Sequence, residues 1–131
     1  MAKNQLKQTL SQYKVIILAD SDTSARMLGD TFGNRGASHQ SFTDIEEARD
    51  AVRTQPVDVF LCMEKGFNRE DIIHLVEDAR AVRPGPRIIW TIGGEIVPLA
   101  DGVTPYPFKP SDLLKPVFFS LKIDEELYAS A

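Results

Sequence analysis

Val57-Asp58-Val59-Phe60-Leu61-Cys62-Met63 is a run of apolar and β-branched residues broken by one acid near its start. Such a run is too short for a helix and reads as a strand. Its near-continuous apolarity suits a parallel strand covered on both faces. Two more runs share this character: Val15-Ile16-Ile17-Leu18-Ala19 upstream and Arg87-Ile88-Ile89-Trp90-Thr91 downstream. Between them the apolar residues change to helical spacing. Ala25, Leu28 and Phe32 lie three and four apart, so a helix is predicted over Thr23 to Asn34, with Asp20, Ser21 and Asp22 as cap residues. Gly36 stands where a left-handed C-cap is needed. A weaker strand spans Ala37 to Phe42. Thr43 and Glu46 then form a capping box for a helix with Ile45, Ala48 and Val52 on its inner face, which Pro56 stops. Asn68 caps a further helix through about Val82, with Ile72, Val76 and Ala79 inward.

After Thr91 the pattern loosens. Gly93, Gly94, Pro98, Gly102 and Pro105 crowd a segment with little room for a helix. An interior Gly costs a helix ~1 kcal/mol and an interior Pro ~3 kcal/mol. The helix between the fourth and fifth strands is therefore predicted to be short or absent. Tyr106-Pro107-Phe108-Lys109 reads as a short last strand, at a sheet edge because Pro107 has no N–H. A final helix is predicted over Ser111 to Leu127, with a separate first turn and a restart at Pro116. Residues 1–12 form an N-terminal extension with room for a short helix, 13–127 the domain, and 128–131 a tail. Alternation of strands and helices, with only the fourth helix short or absent, implies parallel pairing through crossovers, hence an α/β, three-layer, doubly wound sheet of five strands. In such sheets chemistry collects at the C-terminal strand ends, which places Asp20, Ser21, Met63, Glu64, Thr91 and Lys109 together.

Composition narrows the class. The 131 residues are 43% hydrophobic and 26% charged, which is globular and of single-domain size; no separate output domain is expected. The net charge of −4 argues against nucleic acid as a partner. A single cysteine, Cys62, excludes an internal disulfide and a multi-thiolate metal site. No apolar stretch approaches the ~20 residues that span a bilayer, and the first residues lack the apolar core of a signal peptide. A cytoplasmic protein without membrane contact is expected. His39 and His74 lie far apart with no third ligand, so zinc is not expected.

Across about residues 14–122 the strand ends resemble the CheY-like receiver domain of two-component response regulators. Asp20-Ser21 falls where that family carries an acidic pair for Mg²⁺. Thr91 ends the fourth strand as its Ser/Thr does. Tyr106 precedes Lys109-Pro110 at the family's spacing of switch aromatic and Lys-Pro. The resemblance implies the flavodoxin-like strand order 2-1-3-4-5.

Three departures follow. The phosphoacceptor Asp is missing. Counting five residues from Asp58 places Met63 in its position, while counting back from Arg80-x-x-Arg83-Pro84 places Glu64 there. Met63 has no nucleophilic oxygen, and Glu64 carries its carboxylate one methylene too far for in-line transfer. The acidic pair has become Asp20-Ser21, a poor cradle for a hard cation, so Mg²⁺ binding is expected to be weak or absent and no other cofactor is expected. Lys109 follows Thr91 by 18 positions, about four fewer than the family's usual interval, or roughly one helical turn. The face that reports phosphorylation is therefore remodelled, and Ile96, Val97, Leu99, Tyr106 and Phe108 are its candidate partner surface.

These departures imply a stand-alone pseudo-receiver without enzymatic activity, acting as a phosphorylation-independent protein–protein module in a bacterial-type signalling pathway. Its expected partners are a histidine kinase, a phosphotransferase, another regulator or a second copy of itself. One alternative is a working receiver with an atypical acceptor. Another is a small flavodoxin-like nucleotide or flavin binder, against which the acidic, glycine-free turn Ala19 to Thr23 argues. Glu64 beside Lys109 would mimic an aspartyl phosphate only in part, with one negative charge against ≈1.5–2.

Overall fold

Five parallel strands form one sheet in the order β2-β1-β3-β4-β5. The computed structural model describes residues 10–83, 85–92, 102–105 and 110–121. The strands are β1 (Lys14–Leu18), β2 (Ser38–Phe42), β3 (Val59–Met63), β4 (Arg87–Ile92) and β5 (Gly102–Pro105). The helices are α1 (Asp22–Gly33), α2 (Ile45–Thr54), α3 (Arg69–Ala81) and a C-terminal helix, Leu114–Ser120, which a 3-10 turn (Pro110–Leu113) precedes.

Alternation along the central strands divides the core in two. Val15, Ile17, Ala19, Val59, Leu61, Met63 and Ile89 face α1 and the C-terminal helix, meeting Leu28, Phe32, Val117 and Phe118. Ile16, Leu18, Phe60, Cys62 and Ile88 face α2 and α3, meeting Ala48, Val52, Ile72, Leu75 and Val76. Successive strand side chains point to opposite faces, so continuous apolar runs fill both layers at once. All five residues of β3 are buried.

Each helix start has a local cause. Ser21 Oγ accepts from the Ser24 N–H at 3.1 Å, and Asn68 Oδ1 from the Glu70 N–H at 2.8 Å. For α2 the cap is Asp44, which accepts from the Glu47 N–H at 3.0 Å, in place of the predicted Thr43. Gly36 takes the left-handed conformation expected of it, with φ 88°.

Other expectations shift. The fifth strand described is Gly102–Pro105, which pairs with β4 through Trp90↔Val103 and Thr91↔Thr104; the predicted last strand, Tyr106 to Lys109, lies outside the described residues. Flanking Gly and Pro read as breakers, yet a short edge strand tolerates both at its ends. The C-terminal helix begins at Leu114, two residues before Pro116. Proline is accommodated there because the first four N–H groups of a helix have no intrahelical partner. Leu10, placed by sequence in the N-terminal extension, is fully buried in the core beside Val15 and Phe32, and its N–H donates to the Arg35 carbonyl at 2.9 Å. The segment in which a short or absent helix was predicted, and the end of the predicted last helix, lie outside the described residues.

Candidate functional site

Asp20 stands one residue beyond the last hydrogen bond of its strand, where the Ala19 N–H donates to the Phe42 carbonyl at 3.0 Å. Its side chain is exposed at the C-terminal edge of the sheet. Ser21 follows, but its hydroxyl is engaged as the α1 cap and also reaches Ser24 Oγ at 3.2 Å. The second position of the would-be acidic pair is thus a helix cap, as its residue type dictates.

Met63 ends β3 directly opposite Thr91 of β4. Only 6% exposed, its thioether belongs to the apolar layer under α1 and the C-terminal helix. Glu64 is the next residue, just beyond the strand. Its Oε1 lies 3.6 Å from Arg69 Nε in the first turn of α3, and its buried Oε2 has no hydrogen-bond partner. The two candidates for the acceptor position are therefore in different surroundings: one in apolar packing, the other a carboxylate facing a guanidinium. On the α2/α3 face, burial and the nearby Glu64 carboxylate push the Cys62 thiol far above its ordinary value. That thiol is a core group.

The loop after β3 closes over Asp20. Gly66 has φ 91°, and a Cβ on it would fall 2.6 Å from the Asp20 Cβ. Gly66 and Arg69 were not singled out by sequence. A glycine soon after a strand carried a turn signal; nothing in residue type or spacing marked Arg69 as the partner of Glu64. Lys109, Tyr106, Ile96, Val97, Leu99 and Phe108 lie outside the described residues. Among the described residues no three His, Cys, Asp or Glu side chains assemble into a metal-binding group. No described helix is long and apolar enough to cross a membrane.

No family model and no curated protein matches the chain. Solved structures do. A CheY-like response regulator receiver domain protein from Methanospirillum hungatei superposes with a TM-score of 0.72 at 18% identity, covering 91% of this chain and 98% of that one. The Vibrio cholerae chemotaxis protein CheY4 gives 0.69 at 22% identity, covering 82% and 98%. The receiver domain of Francisella response regulator 1452 gives 0.71 at 19% identity, covering 84% and 97%. The chain has the fold of these receiver domains over nearly their whole length.

Proposed function

We propose that this chain is a pseudo-receiver: a non-enzymatic, phosphorylation-independent interaction module of a two-component-type signalling pathway. The observation that carries this reading is Met63. A receiver needs an aspartate at the end of its third strand; counted to Met63, that position holds a thioether packed into the core, and counted to Glu64, a longer carboxylate. Phosphoryl transfer is almost entirely positioning and charge stabilisation. Glu64 is no substitute, because its carboxylate faces Arg69. Mg²⁺ is held weakly or not at all, since Ser21 is engaged as a cap and Met63 offers a soft sulfur to a hard ion. Function then passes through surfaces. Candidates are Ile96, Val97, Leu99, Tyr106 and Phe108, which lie outside the described residues. Another is α1, where Met27 is half exposed. Suitable partners are a histidine kinase, a phosphotransferase, another regulator or a second copy, in the cytoplasm.

The test is Mg²⁺-dependent phosphorylation by acetyl phosphate, followed by intact mass. Wild type is expected to gain no phosphoryl group, while the Met63→Asp, Ser21→Asp variant gains one. Labelling of wild type at an acyl phosphate would overturn the reading in favour of a working receiver with an atypical acceptor.

A further inference from the structure

The end of the sheet opposite Asp20 and Met63 carries a cleft of about 660 Å³. Three arginines line it: Arg53 in the last turn of α2, Arg83 in the loop after α3, and Arg87 at the first position of β4. The chain as a whole has 19 acidic residues against 15 basic, so a lining with three arginines and one described carboxylate runs against the overall charge. The described lining includes one carboxylate, Asp58, whose Oδ2 accepts the Lys14 N–H at 2.8 Å.

Arginines near helix C-termini also serve as dipole partners. Arg83 does so in part, since its Nη1 donates to the Arg80 and Val82 carbonyls. That leaves most of its fork, and the whole of the Arg53 and Arg87 guanidinium groups, without a carboxylate partner among the described residues. Elsewhere Arg49 pairs with Glu46 and Asp78, and Arg69 with Glu64. Arg87 is anchored by its own backbone, which pairs with Val59 and donates to the Asp58 carbonyl at 2.8 Å.

We propose that the cleft between Arg53, Arg83 and Arg87 binds a phosphorylated small molecule of nucleotide size. Guanidinium forks match phosphate oxygens in pairs. Val57 and Val82 add apolar wall beside the cations, a surface for the non-phosphate part of such a ligand. The volume suits a small-molecule ligand, since such pockets run ~300–1,000 Å³, more than a bare oxyanion needs. The site is remote from the strand ends at which receivers work, so it stands or falls independently of the pseudo-receiver reading.

Calorimetry on the full chain with ADP, adenosine and tripolyphosphate, in Mg²⁺-free low-salt buffer, tests it. ADP is expected to bind at sub-millimolar concentration and to weaken as salt is added, with adenosine silent and tripolyphosphate weaker than ADP. Arg53→Gln and Arg87→Gln are each expected to weaken ADP at least about tenfold, with thermal midpoints verifying that both variants remain folded. Four results would overturn the proposal: no ADP heat up to 10 mM, on the order of the weakest specific affinities; ADP binding unchanged in both variants; tripolyphosphate binding as tightly as ADP; or ADP binding only after Asp124, Glu125 and Glu126 are neutralised, which would assign the cations to the chain's own acidic segment.

Discussion

Gly66 passes so close over Asp20 that only a residue without a Cβ fits: the added carbon would lie 2.6 Å from the Asp20 Cβ. The backbone at φ 91° independently favours glycine. The loop after β3 is thereby fixed against the one exposed carboxylate that ends β1. Gly66→Ala is expected to cost about 1–3 kcal/mol from the left-handed conformation alone, plus the clash. Asp20→Ala keeps the offending Cβ and should bring no relief, whereas Asp20→Gly should recover part of the loss. Urea unfolding of the two double variants checks this. Equal recovery in both would mean that the Asp20 carboxylate, not its Cβ, sets the contact.

Met63 is a core residue before it is anything else. Met63→Leu conserves volume and is expected to cost less than about 1.5 kcal/mol. Met63→Asp removes apolar contacts and brings a carboxylate to the margin of the layer holding Leu61 and Ile89, for an expected loss of about 2–4 kcal/mol. Denaturant midpoints of both variants decide the matter. A stability of Met63→Asp equal to wild type would mean that this strand end already holds a cation ready for an aspartate.

The sheet was legible because its central strands are buried on both faces, so Val15 to Ala19 and Val59 to Met63 advertise themselves as uninterrupted apolar runs. The edge was not. In β5 two strand formers, Val103 and Thr104, stand between a glycine and a proline, and pairing with β4 overrides their local signal. The site was half legible. Asp20, Ser21 and Met63 lie where the strand ends put them. The Glu64 contact with Arg69 depends on how the loop carries the chain from β3 into α3, a three-dimensional fact with no periodicity to betray it.

The start of α2 offers a direct comparison of sequence pattern with geometry. Thr43 and Glu46 have capping-box spacing, yet the observed cap is Asp44, bonded to the Glu47 N–H. Its negative charge also meets the positive end of the helix dipole. Asp44→Ala is expected to cost about 1 kcal/mol and Thr43→Ala no more than about 0.5 kcal/mol, the scale of an ordinary surface substitution. Thermal midpoints measured side by side distinguish them. The reverse order would restore the capping box.

Cys62 gives the chain a dependence on alkaline pH whose sign is fixed by burial. The fold raises the thiol's pKa because the thiolate would be desolvated beside Glu64. In the unfolded chain the thiol ionises near pH 8.5. Above that pH the unfolded state has released a proton that the folded state retains, so the unfolded state binds fewer protons and stability falls as pH rises. The slope is limited to ~1.4 kcal/mol per pH unit for one group. Stability is therefore expected to be lost between about pH 8.5 and 10, before tyrosine and lysine titration adds to the slope. In Cys62→Ala the protein starts less stable but lacks this component, so the two urea midpoints should converge as pH rises. Native wild type should also resist alkylation at pH 8 and react once unfolded, since the thiolate is the nucleophile. Rapid native labelling, or parallel pH profiles for the two proteins, would place the thiol outside the core.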